Sequence, residues 1–194
     1  MRWFLLLPLL VGAASPGSCT ADPPPDSREA QVRRGEQAYR NTCALCHGPR
    51  GEGYAADQAP ALAGPDLLAT ATDAYLYETI ANGRPGTVMS GWARERGGPY
   101  DDGAIQDLVA CLRSWQKGTM RPLDEGPLRG TERTGAAVWS RNCASCHGAT
   151  GMEGPYNRLA HPGLHAAATD GFLRAAIREG RSGTPMKGFA DKLG

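Results

Sequence analysis

Two short clusters hold the residues best suited to chemistry: Cys43-Ala44-Leu45-Cys46-His47 and Cys143-Ala144-Ser145-Cys146-His147. In a Cys-x-x-Cys-His run the two thiols add across the vinyl groups of a porphyrin, and the following histidine presents its imidazole to the iron. Each cluster therefore predicts one covalently bound heme c, attached through Cys43 and Cys46 or through Cys143 and Cys146. His47 and His147 are the expected iron ligands on one side of each ring. A four-thiolate zinc site would leave both histidines unused. A thioredoxin-like redox pair needs a βαβ context that the chain does not show.

The other side of each iron needs a ligand of its own. Met89 in Gly86-Thr87-Val88-Met89 and Met186 in Gly183-Thr184-Pro185-Met186 follow their histidines by 42 and 39 residues. A lone methionine is ordinarily core filler. Two at matched places in glycine-rich loops read instead as thioether ligands, which raise the potential relative to bis-imidazole ligation. His161 and His165 are the weaker rivals in the second half. Met152 lies only five residues beyond His147, too near to reach the opposite porphyrin face, and Met120 falls in a connecting segment.

Both ligand sets are positioned by one duplicated unit. The heme motifs sit 100 residues apart, and with an offset of 97 residues Leu62 to Trp92 aligns with Leu159 to Phe189, identical at 16 of 31 positions. Internal self-similarity of this density marks duplication. Each copy predicts a helix (Arg33 to Thr42, Thr134 to Asn142), the heme motif, a Gly/Pro-rich loop, a short helix and the methionine loop. Thr72-Asp73 and Thr169-Asp170 read as N-caps for helices ending at Gly83 and Gly180. The first copy continues into an amphipathic helix, Ile105 to Gln116, with Ile105, Leu108, Val109, Leu112 and Trp115 on one face. Cys111 within it reads as a small buried hydrophobe.

The second copy lacks a counterpart of that helix: 27 residues separate Met89 from Gln116, but only eight separate Met186 from Gly194. The preferred expectation is a truncation or frameshift that leaves Val138 and Trp139 uncovered; the alternative is that domain one, a partner subunit or another chain covers them. The domain reading is a signal peptide (1–18), a flexible tether (19–30), domain one (31–118), a linker (119–130) and an incomplete domain two (131–194).

Arg2 and the apolar run Trp3 to Ala14 read as an export signal, because twelve helical residues rise only about 18 Å against a bilayer core of about 30 Å. Ser15-Pro16-Gly17-Ser18-Cys19 is similar to a lipoprotein cleavage site, so Cys19 is a candidate for lipid attachment and membrane anchoring. Export places the chain in the periplasm or on the outer face of a bacterial membrane. With 21 basic and 20 acidic residues the net charge is only +1, which argues against a nucleic-acid partner.

Gly35-x-x-x-Tyr39, Cys-x-x-Cys-His-Gly, Gly51-x-Gly53, Pro60-x-Leu62, a Gly-Thr-x-Met loop and a closing helix with Leu112 and Trp115 together resemble class I cytochrome c. The tandem arrangement is similar to diheme cytochromes of the c4 type and to diheme subunits of oxidases and dehydrogenases. The resemblance implies an all-α fold of two tandem cytochrome c domains, the second lacking its C-terminal helix. It also implies that the Pro60 carbonyl orients His47, a contact in doubt for His147 because Asn157 stands at the aligned position. Arg84 and Arg181, repeated beside the methionine loops, are candidates for pairing with heme propionates. The expected role is electron carriage between redox partners (an oxidase, reductase or dehydrogenase), with transient docking at exposed heme edges. A diheme peroxidase or thiosulfate-oxidising enzyme is the alternative, and a heme-based sensor a third reading; both need an open or displaceable coordination site, which two matched methionines argue against.

Overall fold

The computed structural model describes residues 22–54, 56 and 59–193. The export signal and Cys19 lie outside the described residues. Everything that is regular here is helical, and no strand occurs among the described residues.

The first repeat is built on helix α1 (Arg28–Thr42), whose N-terminus is capped by Ser27 Oγ accepting from the Ala30 N–H at 3.2 Å. The helix thus starts inside the segment read from sequence as a tether, because a serine cap can begin it before any apolar periodicity appears. A single turn, α2 (Ala44–His47), follows directly. Next come the short α3 (Pro65–Thr70) and α4 (Asp73–Asn82), the latter capped by Thr72 as expected. Helix α5 (Asp102–Ser114) begins at an Asp101 cap and buries Ile105, Leu108, Val109 and Leu112.

Helix α5 crosses α1 at Gly35, where a Cβ would stand 1.9 Å from the Asp107 carbonyl oxygen. Only glycine permits that approach. Beside it Arg34 forks onto the Asp107 carboxylate at 2.6 and 3.0 Å, and Trp115 meets the Tyr39 ring edge-on at 4.9 Å. Cys111 is fully buried in this seam, the small buried hydrophobe expected of it.

The second repeat follows the same order: α6 (Glu132–Asn142), the turn α7 (Ala144–His147), α8 (Pro162–Ala167), α9 (Asp170–Glu179) and a final turn α10 (Ala190–Leu193). No counterpart of α5 stands against α6 among the described residues. Helix α6 buries none of its residues, and a Cβ on Gly135 would meet nothing within 4 Å.

The repeats meet through equivalent elements, α4 against α8 and α3 against α9. Tyr75 and Phe172, the same position in each repeat, stack across the contact. This is the isologous pattern of a two-fold dimer, here within one chain. Phe172 joins Leu68, Leu76, Ile80 and Leu108 in one continuous apolar core. The connecting segment is held against both halves. Arg121 donates its backbone N–H to Ala69 and its side chain to Asp66 and Glu179. Arg174 grips the carbonyls of Asp124 and Gly126 at 2.9 and 2.8 Å. No described helix is long and apolar enough to cross a membrane.

Candidate heme sites

The first motif is delivered by helix geometry. Helix α1 hands over to α2 at Cys43, whose N–H donates to Tyr39 O at 2.9 Å, so Cys43, Cys46 and His47 share one tight turn. Gly48, at φ +79°, lets the chain leave that turn in a conformation closed to most side chains. Tyr39 reinforces the exit by donating its hydroxyl to Gly48 O at 2.7 Å, and its burial pushes the phenol well above its usual range.

His47 is buried with Nδ1 2.8 Å from Pro60 O. A carbonyl only accepts, so the ring proton sits on Nδ1 and the Nε2 lone pair is left for a metal. Burial pushes the imidazole pKa down, opposed by the Pro60 contact. A buried, neutral, oriented imidazole is the form that ligates iron. The Cys43 thiol is pushed up by burial, with Thr42 Oγ1 at 3.4 Å opposing.

The second motif repeats the arrangement with one substitution. Trp139 replaces Tyr39 and donates its indole N–H to Gly148 O and Ala149 O at 3.1 and 3.0 Å. His147 Nδ1 lies 3.1 Å from Asn157 O. The proline is dispensable because the acceptor is a main-chain carbonyl. His147 is less covered than His47, and Cys146 is exposed.

Both methionines close the same hairpin. In the first, the Arg84 N–H donates to Met89 O at 2.7 Å, Thr87 Oγ1 donates to Arg84 O at 2.7 Å, and the Met89 N–H donates to Thr87 Oγ1 at 3.1 Å. Arg181, Thr184 and Met186 repeat these contacts at 2.8, 2.7 and 3.1 Å. Gly86 and Gly183, at φ +82° and +76°, allow the reversal. The Gly-Thr-x-Met signature is therefore a structural unit in which threonine ties the loop and methionine ends it. The threonine's role was not read from the sequence, although its repetition was visible.

One orphan atom bears on the cofactor. Arg181 Nη1 is buried without a hydrogen-bond partner while the guanidinium lies 5.2 Å over the Phe172 ring, and burial lowers its pKa. A buried cationic donor with nothing to bind is costly. An anionic oxygen, such as a heme propionate, is the chemistry that would satisfy it. Its counterpart Arg84 is instead engaged with Thr79 Oγ1 at 3.0 Å and with Gly83 O and Gly163 O, both at 3.3 Å. His161 is no free ligand, since both ring nitrogens are taken by Pro85 O and the Gly163 N–H. His165 is exposed. Among the described residues no three His, Cys, Asp or Glu side chains converge on a metal position, so the four-thiolate zinc reading finds no cluster.

A profile of the family described as cytochrome c oxidase, cbb3-type, subunit III matches residues 30–110 and 130–194, one segment on each repeat. The dihydro-heme d1 dehydrogenase of Pseudomonas aeruginosa is 40% identical over 78 residues, which are 40% of this chain and 14% of that protein. The cbb3-type cytochrome c oxidase subunit CcoP of Azospirillum sp. (strain B510) is 29% identical over 156 residues, 75% of this chain and 45% of that protein. The chain spans less than half the length of these curated relatives. Among solved structures, a chain of the Kuenenia stuttgartiensis reducing HAO-like protein complex has a TM-score of 0.49 at 24% identity, covering 82% of this chain and 88% of that one.

Proposed function

This chain belongs to the family described as cytochrome c oxidase, cbb3-type, subunit III, c-type cytochromes with covalent heme, and we propose that it is an exported carrier of two hemes that shuttles electrons between redox proteins. The observation that carries the reading is the double occurrence of one contact set. In both halves a thiol pair and a histidine share one turn, a main-chain carbonyl takes the histidine Nδ1–H, and a threonine-tied loop ends on methionine.

Cys43 and Cys46 would hold one heme and Cys143 and Cys146 the other. His47 with Met89, and His147 with Met186, would hold the two irons. When bound, the iron supplies a one-electron couple, and thioether ligation favours its reduced form. The chain's own residues orient the ligands and shield them. Pro60 and Asn157 fix the imidazole tautomers, Tyr39 and Trp139 lock the exits of the motifs, and the fold buries His47. A histidine and a methionine on each iron would leave no place for a substrate, which favours carriage over catalysis. The domains would be 31–118, with α1 reaching back to Arg28, and 131–194, joined by 119–130.

Partners would be an oxidase, reductase or dehydrogenase; the two named relatives are an oxidase subunit and a dehydrogenase. We place the chain in the periplasm, with Cys19 as a lipid anchor. Purified full-length protein should contain two hemes per chain by pyridine hemochrome and, when oxidised, show the Met-to-iron charge-transfer band. High-spin iron, or carbon monoxide binding to the reduced native protein, would overturn the carrier reading and favour the peroxidase or thiosulfate-oxidising alternative.

A further inference from the structure

The hairpin that ends on Met89 is gripped from outside its own repeat. Three successive residues of it touch the second repeat: Arg84 donates to Gly163 O at 3.3 Å, Pro85 O lies 2.5 Å from His161 Nε2, and Gly86 O accepts from Arg158 at 2.8 Å. His161 is only 4% exposed. Its Nδ1 accepts from the Gly163 N–H at 2.9 Å, which caps α8 and leaves the ring proton on Nε2, aimed at Pro85 O. The tautomer is thus fixed by one helix and spent on the opposite loop. Away from water such a bond contributes more than an exposed one.

The other hairpin is gripped in return. Ser182, the counterpart of Pro85, donates its backbone N–H to Asp66 Oδ2 at 2.6 Å, and Arg121 holds Asp66 Oδ1 at 3.1 Å. A proline at 182 could not make this contact, having no N–H. Arg84 and Gly86 have identical counterparts in Arg181 and Gly183, but the other positions that carry the cross-contacts differ between the repeats: Ala61 against Arg158, Gly64 against His161, Asp66 against Gly163 and Pro85 against Ser182. Around them the hairpins themselves remain alike.

We propose that His161 and Arg158 are positioning residues for the Met89 loop and Asp66 for the Met186 loop, so that each repeat holds the other's sixth-ligand hairpin closed. This rests on the reading of Met89 and Met186 as ligands. Opening of either thioether site then costs contacts made by the other repeat.

The test uses full-length holoprotein in a Met186→Ala background, where the charge-transfer band reports the first site alone. Imidazole is titrated into the ferric protein until the band is lost. Deleting one brace should lower the half-effective imidazole concentration by about fivefold for the part-buried His161→Ala and by about threefold for the exposed Arg158→Ala, the loss of one ordinary hydrogen bond in each. Arg158 is exposed, so that variant folds even where His161→Ala does not. His161→Gln, which keeps a donor for Pro85 O, should return to within about twofold of the parent. Arg174→Ala, which releases the connecting segment but touches neither hairpin, should leave the titration unchanged. In a Met89→Ala background, Asp66→Ala should ease opening of the second site in the same way. A band abolished by Met89→Ala in the Met186→Ala background, with titrations that Arg158→Ala and His161→Ala leave equal to the parent, would sink the bracing while sparing the ligand reading. A band that survives Met89→Ala there sinks both.

Discussion

The rings of Tyr75 and Phe172, equivalent positions of the duplicated unit, stack across the inter-repeat contact with centroids 4.5 Å apart and planes 32° from parallel. Phe172 also lies beneath Arg181 and belongs to the buried core. Phe172→Ala should therefore cost about 3 kcal/mol and uncouple the halves. Calorimetry should show one thermal transition in the parent and two in the variant; a single, equally cooperative transition would count against a shared core.

Gly35 and Gly135 are matched in sequence and opposite in surroundings. Gly35→Ala drives a methyl into the Asp107 carbonyl and should destabilise by about 3 kcal/mol or more. Gly135→Ala meets open space and should stabilise by up to about 1 kcal/mol through helix propensity. Urea unfolding of the two variants reads both signs.

Asp66 predicts how the contact responds to acid. Burial raises its pKa, but the Ser182 contacts and Arg121 outweigh it, leaving the carboxyl below its ordinary 3.8. A depressed folded pKa means stability that is fully present above 3.8 and lost as pH falls through the folded value. Thermal stability followed from pH 6 down to pH 2 should fall in that window, and Asp66→Asn should flatten the fall.

Cys111 should be chemically silent. Its thiol is fully buried and pushed up to about 12, chiefly by burial. Iodoacetamide at pH 8 should leave it unmodified in native protein and label it in denaturant, read by mass spectrometry. Fast native labelling would mean that the α1–α5 seam opens.

Arg181, whose Nη1 is buried without a hydrogen-bond partner, predicts an electrochemical effect. A nearby positive charge favours the reduced, less positive iron. Arg181→Gln should lower one of two midpoint potentials by tens of millivolts, on the scale where 59 mV is tenfold for one electron. Two unshifted potentials in a redox titration would separate this arginine from the heme.

Much of this arrangement was legible in the residues. The threonine caps at Thr72 and Thr169, the helices they start and the duplicated hairpins follow from local chemistry that sequence displays. Helices α3 and α8, six residues each, escaped notice because they do not complete two turns of apolar period. The Asn157 contact was hidden since a main-chain carbonyl leaves no trace in residue identity. The grip on the hairpins was hidden for a different reason. Arg158 and His161 sit in a loop whose partner lies 72 to 76 residues away, and nothing local announces that distance.

The connecting segment has a thermodynamic meaning beyond its contacts. Two free molecules meeting through these contacts would have to find each other at a concentration set by the solution. Tethering converts that encounter into an intramolecular one, at an effective concentration in the millimolar range for short linkers. Arg121 and Glu125 then remove most of the tether's own freedom by fixing it to Ala69, Asp66 and the start of α9. Within one chain the two-fold contact of the repeats cannot be diluted apart.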